Sequence, residues 1–235
     1  MSPFGKKTHM LNVTEALRAR YTCRDFRPTP VLKSVLAEVL EEATRAPSTA
    51  NTQPWEIYAA TGKPLERIRT GFLRDFEKGV APNPDIPFSR HWPEPLKRRA
   101  EEMMALHRLK STNHPGESTD VREHQRRNFA FFGAPVVLYL CLDKTLGMWS
   151  FFDLGLLAQS IMLAALEQDL DTATALMLVS YPDLIRDELE IPKHLSVAIG
   201  IALGYGKNPG HHDEFLSPRR VLADAVRFKG FDSEV

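Results

Sequence analysis

The stretch Ala46-Pro47-Ser48-Thr49-Ala50-Asn51-Thr52-Gln53-Pro54-Trp55 separates two regular patterns, and its reading sets the fold on either side. Before it, Val35, Leu36, Val39, Leu40 and Ala43 recur at helical spacing, which predicts an amphipathic helix over 33–45. After it, the run 55–60 reads as a buried strand closed by the turn Thr61-Gly62-Lys63. Pro47 and Pro54 stop regular structure at both ends of the loop. Between them stand hydroxyl and amide side chains, one alanine and no charge. Such a loop is either an ordinary helix-to-strand connection built of turn residues or a wall of hydroxyl and backbone groups around a flat, neutral heterocycle. The loop alone does not separate the two readings.

The 235 residues are 43% hydrophobic and 26% charged, enough apolar material for a sizeable globular core. Thirty basic and thirty acidic side chains cancel, which argues against a nucleic-acid partner. Cys23 and Cys141 are distant and lack Cys or His neighbours at ligand spacing, so neither a disulfide framework nor a structural metal site is expected. That cysteine usage fits the cytoplasm. The apolar segments near 151–166 and 195–203 are interrupted by Asp153, Gln159 or glycines and read as too short to span a membrane.

Taken in order, Asn12 and Glu15 have the spacing of a capping box opening a helix whose Val13, Ala16 and Leu17 share one face. It runs into Arg20-Tyr21-Thr22-Cys23-Arg24-Asp25-Phe26, ended by Pro28 and Pro30. Arg20 and Arg24 either curl around one anion or form a solvated basic helix end. A helix over 64–78 turns Leu65, Ile68, Phe72 and Phe76 inward. The segment 79–95, with Pro82, Pro84, Pro87, Pro93 and Pro95, is longer than a usual connection. Together with a helix over 96–110 and a polar loop over 111–120, it reads as a lid-like excursion at 79–120 from a single domain spanning 1–235. A helix over 121–132 precedes a continuous apolar strand over 136–142. Ser150 with Asp153 reads as the capped start of a helix apolar nearly all round, a pattern central to a fold or to a dimer. A strand over 170–179, a short helix from Pro182 to Leu189 and a buried strand over 195–203 complete an α+β chain.

Several motifs fail. Gly200-x-x-x-Gly204-x-Gly206 lacks the third glycine of a dinucleotide fingerprint, because Pro209 stands there, and it lacks a P-loop's spacing. Its glycines read as close packing at a strand exit. His211-His212 has no further ligand nearby. Cys23 between two arginines is either a thiol of lowered pKa or a small space-filler.

What survives is an arginine pair, a hydroxyl-rich neutral loop, a threonine-bearing strand end and a late arginine. Arginines suit a phosphate by charge and fork geometry, and the loop suits a flat ring. On Arg20-x-Thr22-x-Arg24-x-Phe26, Ala46-Pro47-Ser48-x-x-Asn51-x-Gln53-Pro54-Trp55 and Ile191-Pro192 with Gly200-Ile201-Ala202-Leu203-Gly204-Tyr205, the chain resembles the FMN-dependent nitroreductase family from about Val13 to Phe231. Arg127-Asn128-Phe129 through Phe132 and the helix Trp149–Ala165 bring it nearest to the branch acting on nitrobenzoates and dinitroanilines.

The resemblance implies a nitroreductase-like α+β fold, with a mostly antiparallel sheet of four to five strands flanked by helices, and an intertwined homodimer carrying FMN at its interface. It implies that Arg20, Tyr21, Thr22 and Arg24 bind the phosphate and pyrimidine side of FMN, with Thr22 where the family usually has serine. Pro47, Ser48, Thr49 and Asn51 match the loop along the isoalloxazine, and Ala50 borders the substrate. Thr174, Ala175 and Leu176 match the segment whose backbone faces flavin N5. Arg219 matches a late phosphate-binding arginine, with Arg220 as the competing assignment. Asn128 and residues 79–110 of the excursion then serve the partner's site. The implied activity is ping-pong hydride transfer through flavin N5 from NADH or NADPH to a nitroaromatic or quinone, with no side-chain acid or base and Arg24 as an electrostatic aid. A reductive dehalogenase or other flavin reductase, and a flavin-storage protein, are the alternatives.

Overall fold

In a computed structural model, which describes residues 11–89, 91–112, 121–207 and 217–231, the chain forms a four-stranded antiparallel sheet between two helical layers. The strands are β1 (Trp55–Thr61), β2 (Val136–Asp143), β3 (Asp171–Ala175) and β4 (Leu195–Gly204), in the order β1-β2-β4-β3. The helices are α1 (Val13–Ala19), α2 (Lys33–Ala43), α3 (Gly62–Glu77), α4 (Glu94–Thr112), α5 (Val121–Phe129), α6 (Met148–Glu167), α7 (Pro182–Leu189) and α8 (Leu222–Ala225).

The continuous apolar run of β2 has a direct cause. Its side chains alternate between faces, and both faces are covered. Val137, Tyr139 and Cys141 enter a core with Leu65, Ile68 and Phe72 of α3, Phe129 of α5 and Ile185 of α7. Val136, Leu138, Leu140 and Leu142 enter a second core with Val35 and Val39 of α2 and Leu154, Leu157 and Ile161 of α6. Burying each such side chain contributes about 1.5–3 kcal/mol, which is why the two central strands tolerate almost no polarity.

Several expectations change. β1 is an edge strand with only Trp55 and Ala60 buried, because its outer side has no strand partner. α5 ends at Phe129, since Phe131 and Phe132 adopt positive φ and cannot continue a helix. β3 ends at Ala175, not Val179. Beyond it the chain turns over β4, and Leu178 lies where a Cβ on Gly200 would come within 2.5 Å. Gly204 and Gly206 are similarly crowded, by Pro135 and by the Asp171 carboxylate. Close packing is therefore the role of these three glycines. Gly200→Ala is expected to destabilise the protein by about 1–3 kcal/mol through overpacking, read as a lowered midpoint in chemical denaturation.

The Asn12–Glu15 capping box of α1 forms, but on that helix only Ala16 is buried, and Val13 and Leu17 remain exposed. The cap predicted at Ser150 does not form. α6 starts three residues earlier, with Gly147 as its N-cap, and Asp153 bonds elsewhere. At 20 residues α6 is long and apolar enough, by length and composition, to cross a membrane, contrary to the shorter segment read from sequence. Leu154, Leu157, Ile161 and Ala165 nevertheless pack in the core beside the sheet, while Met148, Trp149 and Phe152 lie open at its start.

The excursion is built in two parts. Its first ten residues are tied to the body: the Tyr181 hydroxyl donates to Val80 O at 2.9 Å, and Asn83 N donates to Ser180 O at 2.9 Å. Asp85 accepts from Val197 N at 2.7 Å and pairs with the nearly buried Arg186. Farther out, α4 has no buried side chain over 94–106. The polar loop expected over 111–120 lies outside the described residues from 113 on, as do Pro209, His211 and His212.

Candidate functional site

The segment 20–26 is extended. Arg20 is the C-cap of α1 with strand-like dihedrals, and Cys23 N donates to Thr172 O at 2.9 Å, so the segment lies along the open edge of β3. Phe26 closes it by pairing with Gly206. With a period of two, Tyr21 and Cys23 turn inward, and Phe26 does so three residues on, whereas Thr22 and Arg24 remain partly exposed. Arg20 and Arg24 are therefore not neighbours on one helical face.

Tyr21, expected to bind the cofactor, sends its side chain into the core. Burial, and then the adjacent Cys23 thiol and Asp171 carboxylate, hold its hydroxyl far above the ordinary tyrosine pKa. Asp171 opens β3 and also accepts from Gly206 N at 3.2 Å, so one buried carboxylate joins the segment to the exit of β4. Burial pushes the Cys23 thiol up to about 11, and its Sγ lies 3.3 Å from Asp25 O. Cys23 is thus a space-filler. Cys141 is likewise buried and pushed up to about 12. Neither thiol is expected to react with a maleimide at pH 7–8 until the protein is denatured, because the thiolate is the reactive form. Rapid labelling of the native protein would contradict this.

Arg219 approaches Arg20 from the chain's late segment. Burial and then the Arg219 charge lower the Arg20 pKa, and no carboxylate among the described residues offsets the repulsion. Two guanidinium groups held in this way fit an anion between them. Arg219 donates to Ser217 O at 2.6 Å, whereas Arg220 faces Asp224 O on α8. Arg219 therefore acts electrostatically on Arg20, while Arg220 is engaged on α8. Arg24 has its backbone O held by Arg127 of α5 at 2.8 Å. The next residue, Asn128, donates to His124 O within the same helix. At the far end of β3, Thr174 lies 3.2 Å from Met162 Sδ, Ala175 is half-buried and Leu176 is 56% exposed.

The loop 46–55 has unusual backbone geometry. Ala50, Asn51 and Gln53 all take positive φ, at 50°, 55° and 45°. Such a conformation costs about 1 kcal/mol or more for each non-glycine residue, so something must hold it. Ser48 Oγ accepts from Gln53 N at 2.9 Å, and Ser48 O accepts from Asn51 N at 3.0 Å. Asp153 of α6, 2% exposed, accepts from Thr49 N at 3.1 Å and from Thr49 Oγ1 at 3.4 Å. Pro47, Thr49, Ala50 and Asn51 are exposed and Ser48 is half-buried.

One protomer does not bring this loop to the arginines. Trp55 pairs with Leu142, which pairs with Ser196 at the start of β4; Thr172, beside Cys23, pairs with Leu203 near its end. At about 3.3 Å per residue and 4.8 Å per strand, these points lie roughly 20 Å apart along the sheet and about 14 Å apart across it. α6 provides a second ruler. Asp153 holds the loop, while Glu167 accepts from Leu11 N, just before α1. The helical rise puts these residues about 20 Å apart. Arg20, Thr22, Arg24 and the 174–176 segment thus stand at the β3 edge, and Pro47 to Asn51 stand at the opposite corner of the sheet.

Sequence reading took Asp153 for a helix cap, gave Arg127 no contact of its own and did not single out Asp171. The available signal was a lone acid in an apolar helix and another opening an apolar strand, each of which needs a buried partner.

The model of the Nitroreductase family matches residues 17–205. The chain is 30% identical to a 4-nitrobenzoate reductase of Pseudomonas putida over 223 residues, covering 91% of this chain and 94% of that protein. It is 33% identical to a nitrobenzene nitroreductase of Ectopseudomonas oleovorans, covering 92% and 96%. Its fold matches the crystal structure of an FMN and NADPH-dependent nitroreductase, NfnB, from sphigopyxis sp. strain HMH. The TM-score is 0.85 and the identity 26%, over 94% of this chain and all of that one.

Proposed function

The chain belongs to the Nitroreductase family, and on that premise we propose that it is an FMN-dependent NAD(P)H oxidoreductase reducing nitroaromatic compounds, and quinones at the same site, in the cytoplasm. The observation that carries this reading is the family match over residues 17–205, and the mutual influence of Arg20 and Arg219 supplies positive charge suited to the FMN phosphate. Bound FMN supplies two-electron hydride chemistry between a nicotinamide and an electron-poor acceptor. The chain supplies position and charge. Arg20 and Arg219 hold the phosphate, Thr22 and Arg24 line the pyrimidine side, and the backbone at 174–176 runs along the ring. The neutral loop at 47–51 covers the ring from the other half-site, with the small Ala50 leaving room for a flat substrate and Asn128 bordering it. The related proteins of known activity act on nitrobenzoate and nitrobenzene, and an exposed Leu176 beside the ring position suits such apolar aromatics.

Because the half-sites lie at opposite corners of one protomer, the complete site is composite: the loop of one protomer meets the arginines of its partner in a two-fold homodimer. The open apolar side chains support this arrangement. Met148, Trp149 and Phe152 of α6, Val13 and Leu17 of α1, and Leu222, Phe228 and Phe231 of the late segment are all more than half exposed, more apolar surface than a monomer usually leaves in water. α4 reaches over the partner's site as its cover.

The test is anaerobic stopped-flow reduction of the purified yellow protein by NADPH and by NADH, followed by reoxidation with nitrobenzoate, nitrobenzene and quinones. Bleaching and stoichiometric reoxidation are expected; a protein that takes up no FMN would end this reading. Arg24→Ala is expected to lower the midpoint potential of the bound flavin by about 30 mV, equivalent to ~1.4 kcal/mol for a two-electron couple. Spectroelectrochemistry reads this directly, and an unchanged potential removes the electrostatic role of Arg24.

A further inference from the structure

We infer that Asp153 is a positioning residue for the flavin-covering loop, selecting which of the loop's donors remain available to a ligand; the inference rests on the FMN reading above. α6 is apolar along most of its length, and a carboxylate 2% exposed on it is costly unless each oxygen is satisfied. Both are satisfied, and by one residue: Oδ2 accepts Thr49 N–H and Oδ1 accepts the Thr49 hydroxyl. Thr49, which resemblance assigns to the flavin, thus commits both of its donors inward.

The neighbouring N–H groups are committed as well. Asn51 N donates to Ser48 O, Thr52 N to Thr49 O and Gln53 N to Ser48 Oγ. Among 49–53, only Ala50 N–H has no acceptor among the described residues. The Ser48 hydroxyl accepts from Gln53 N and so keeps its own proton to donate. Near Thr49 the loop therefore offers Ala50 N–H and Ser48 Oγ–H as donors, on a backbone whose positive φ at Ala50, Asn51 and Gln53 is not its relaxed state. Without Asp153, the loop loses the anchor that opposes relaxation of those residues, and both donors move.

The test uses the full-length dimer, stripped of FMN and reconstituted, with affinity read by quenching of FMN fluorescence and geometry by visible circular dichroism of the bound flavin. Asp153→Ala is expected to weaken FMN binding about 10- to 100-fold, the range for a lost charge-assisted hydrogen bond with loop relaxation, and to change the flavin dichroism. Asp153→Asn keeps one acceptor oxygen for Thr49 N–H and is expected to restore the dichroism and bring affinity to within about threefold of wild type. Should Asp153→Ala not fold, Thr49→Val carries the test. It removes only the hydroxyl bond and is expected to alter the dichroism with a smaller affinity loss. A folded Asp153→Ala protein, or failing that a Thr49→Val protein, with wild-type affinity and dichroism would overturn the positioning role. Wild-type protein that binds no FMN would instead overturn the functional reading beneath it.

Discussion

Replacing Arg20 and Arg219 together by alanine is expected to cost roughly a hundred- to ten-thousandfold in FMN affinity while leaving the apoprotein at least as stable as wild type. Each guanidinium contributes a charge-assisted bond to a phosphate, worth about 1.5–3 kcal/mol when it is lost. Their combined loss gives that range through the logarithmic relation between energy and binding constant. Stability should not fall, because without an anion the pair is a liability: burial and Arg219 both oppose the charge on Arg20. Arg220→Ala is the matched control. Arg220 faces the Asp224 carbonyl on α8, and its removal should change affinity by less than about threefold. FMN titration and thermal denaturation of the three apoproteins check both halves of the expectation. An affinity loss for Arg220→Ala as large as that of the double variant would reverse the assignment.

The second large effect is complementation between protomers. Two inactive homodimers are prepared, one carrying Arg20→Ala with Arg219→Ala, the other Ala50→Trp, which fills the ring position from the loop side. Each destroys a different half-site. If a site combines the loop of one protomer with the arginines of the other, every mixed dimer contains one doubly damaged site and one intact site. Random exchange makes about half of the dimers mixed, so about a quarter of wild-type activity should return in a two-fold assembly. If both half-sites came from one chain, mixing would restore nothing. The measurement is nitrobenzoate-dependent NAD(P)H oxidation before and after unfolding and refolding the mixture together.

Much of the fold was legible in local pattern. The spacing of Val35, Val39 and Ala43 defines α2, and the unbroken run 136–142 reports a strand covered on both faces. The Asn12–Glu15 pair marks the start of α1 to the residue. The misreadings share a cause: they needed a partner remote in sequence. β3 looked as if it ran four residues past its end at Ala175, because the steric demand of Leu178 on Gly200 belongs to another strand. Ser150 and Asp153 looked like a cap, because nothing near them shows that the carboxylate reaches a loop a hundred residues earlier. Edge and centre strands carry similar apolar residues, and only the order β1-β2-β4-β3 leaves the outer side of β1 open.

The candidate site divides along the same line. Arginine identity, the absence of charge between Pro47 and Pro54, and the hydroxyls of Ser48, Thr49 and Thr52 are properties of composition, and composition alone determined that this chain has the materials for a phosphate and a flat ring. Where those materials stand depends on pairing. Antiparallel register carries the loop before β1 and the segment beside β3 to opposite corners of one sheet, a separation that no local spacing encodes. The same tertiary packing turns Tyr21 into the core, sets the Arg219 charge against Arg20, and gives Asp153 the two donors of Thr49. Local residues determined the chemistry; long-range pairing decided that one protomer holds the loop and the arginine segment apart.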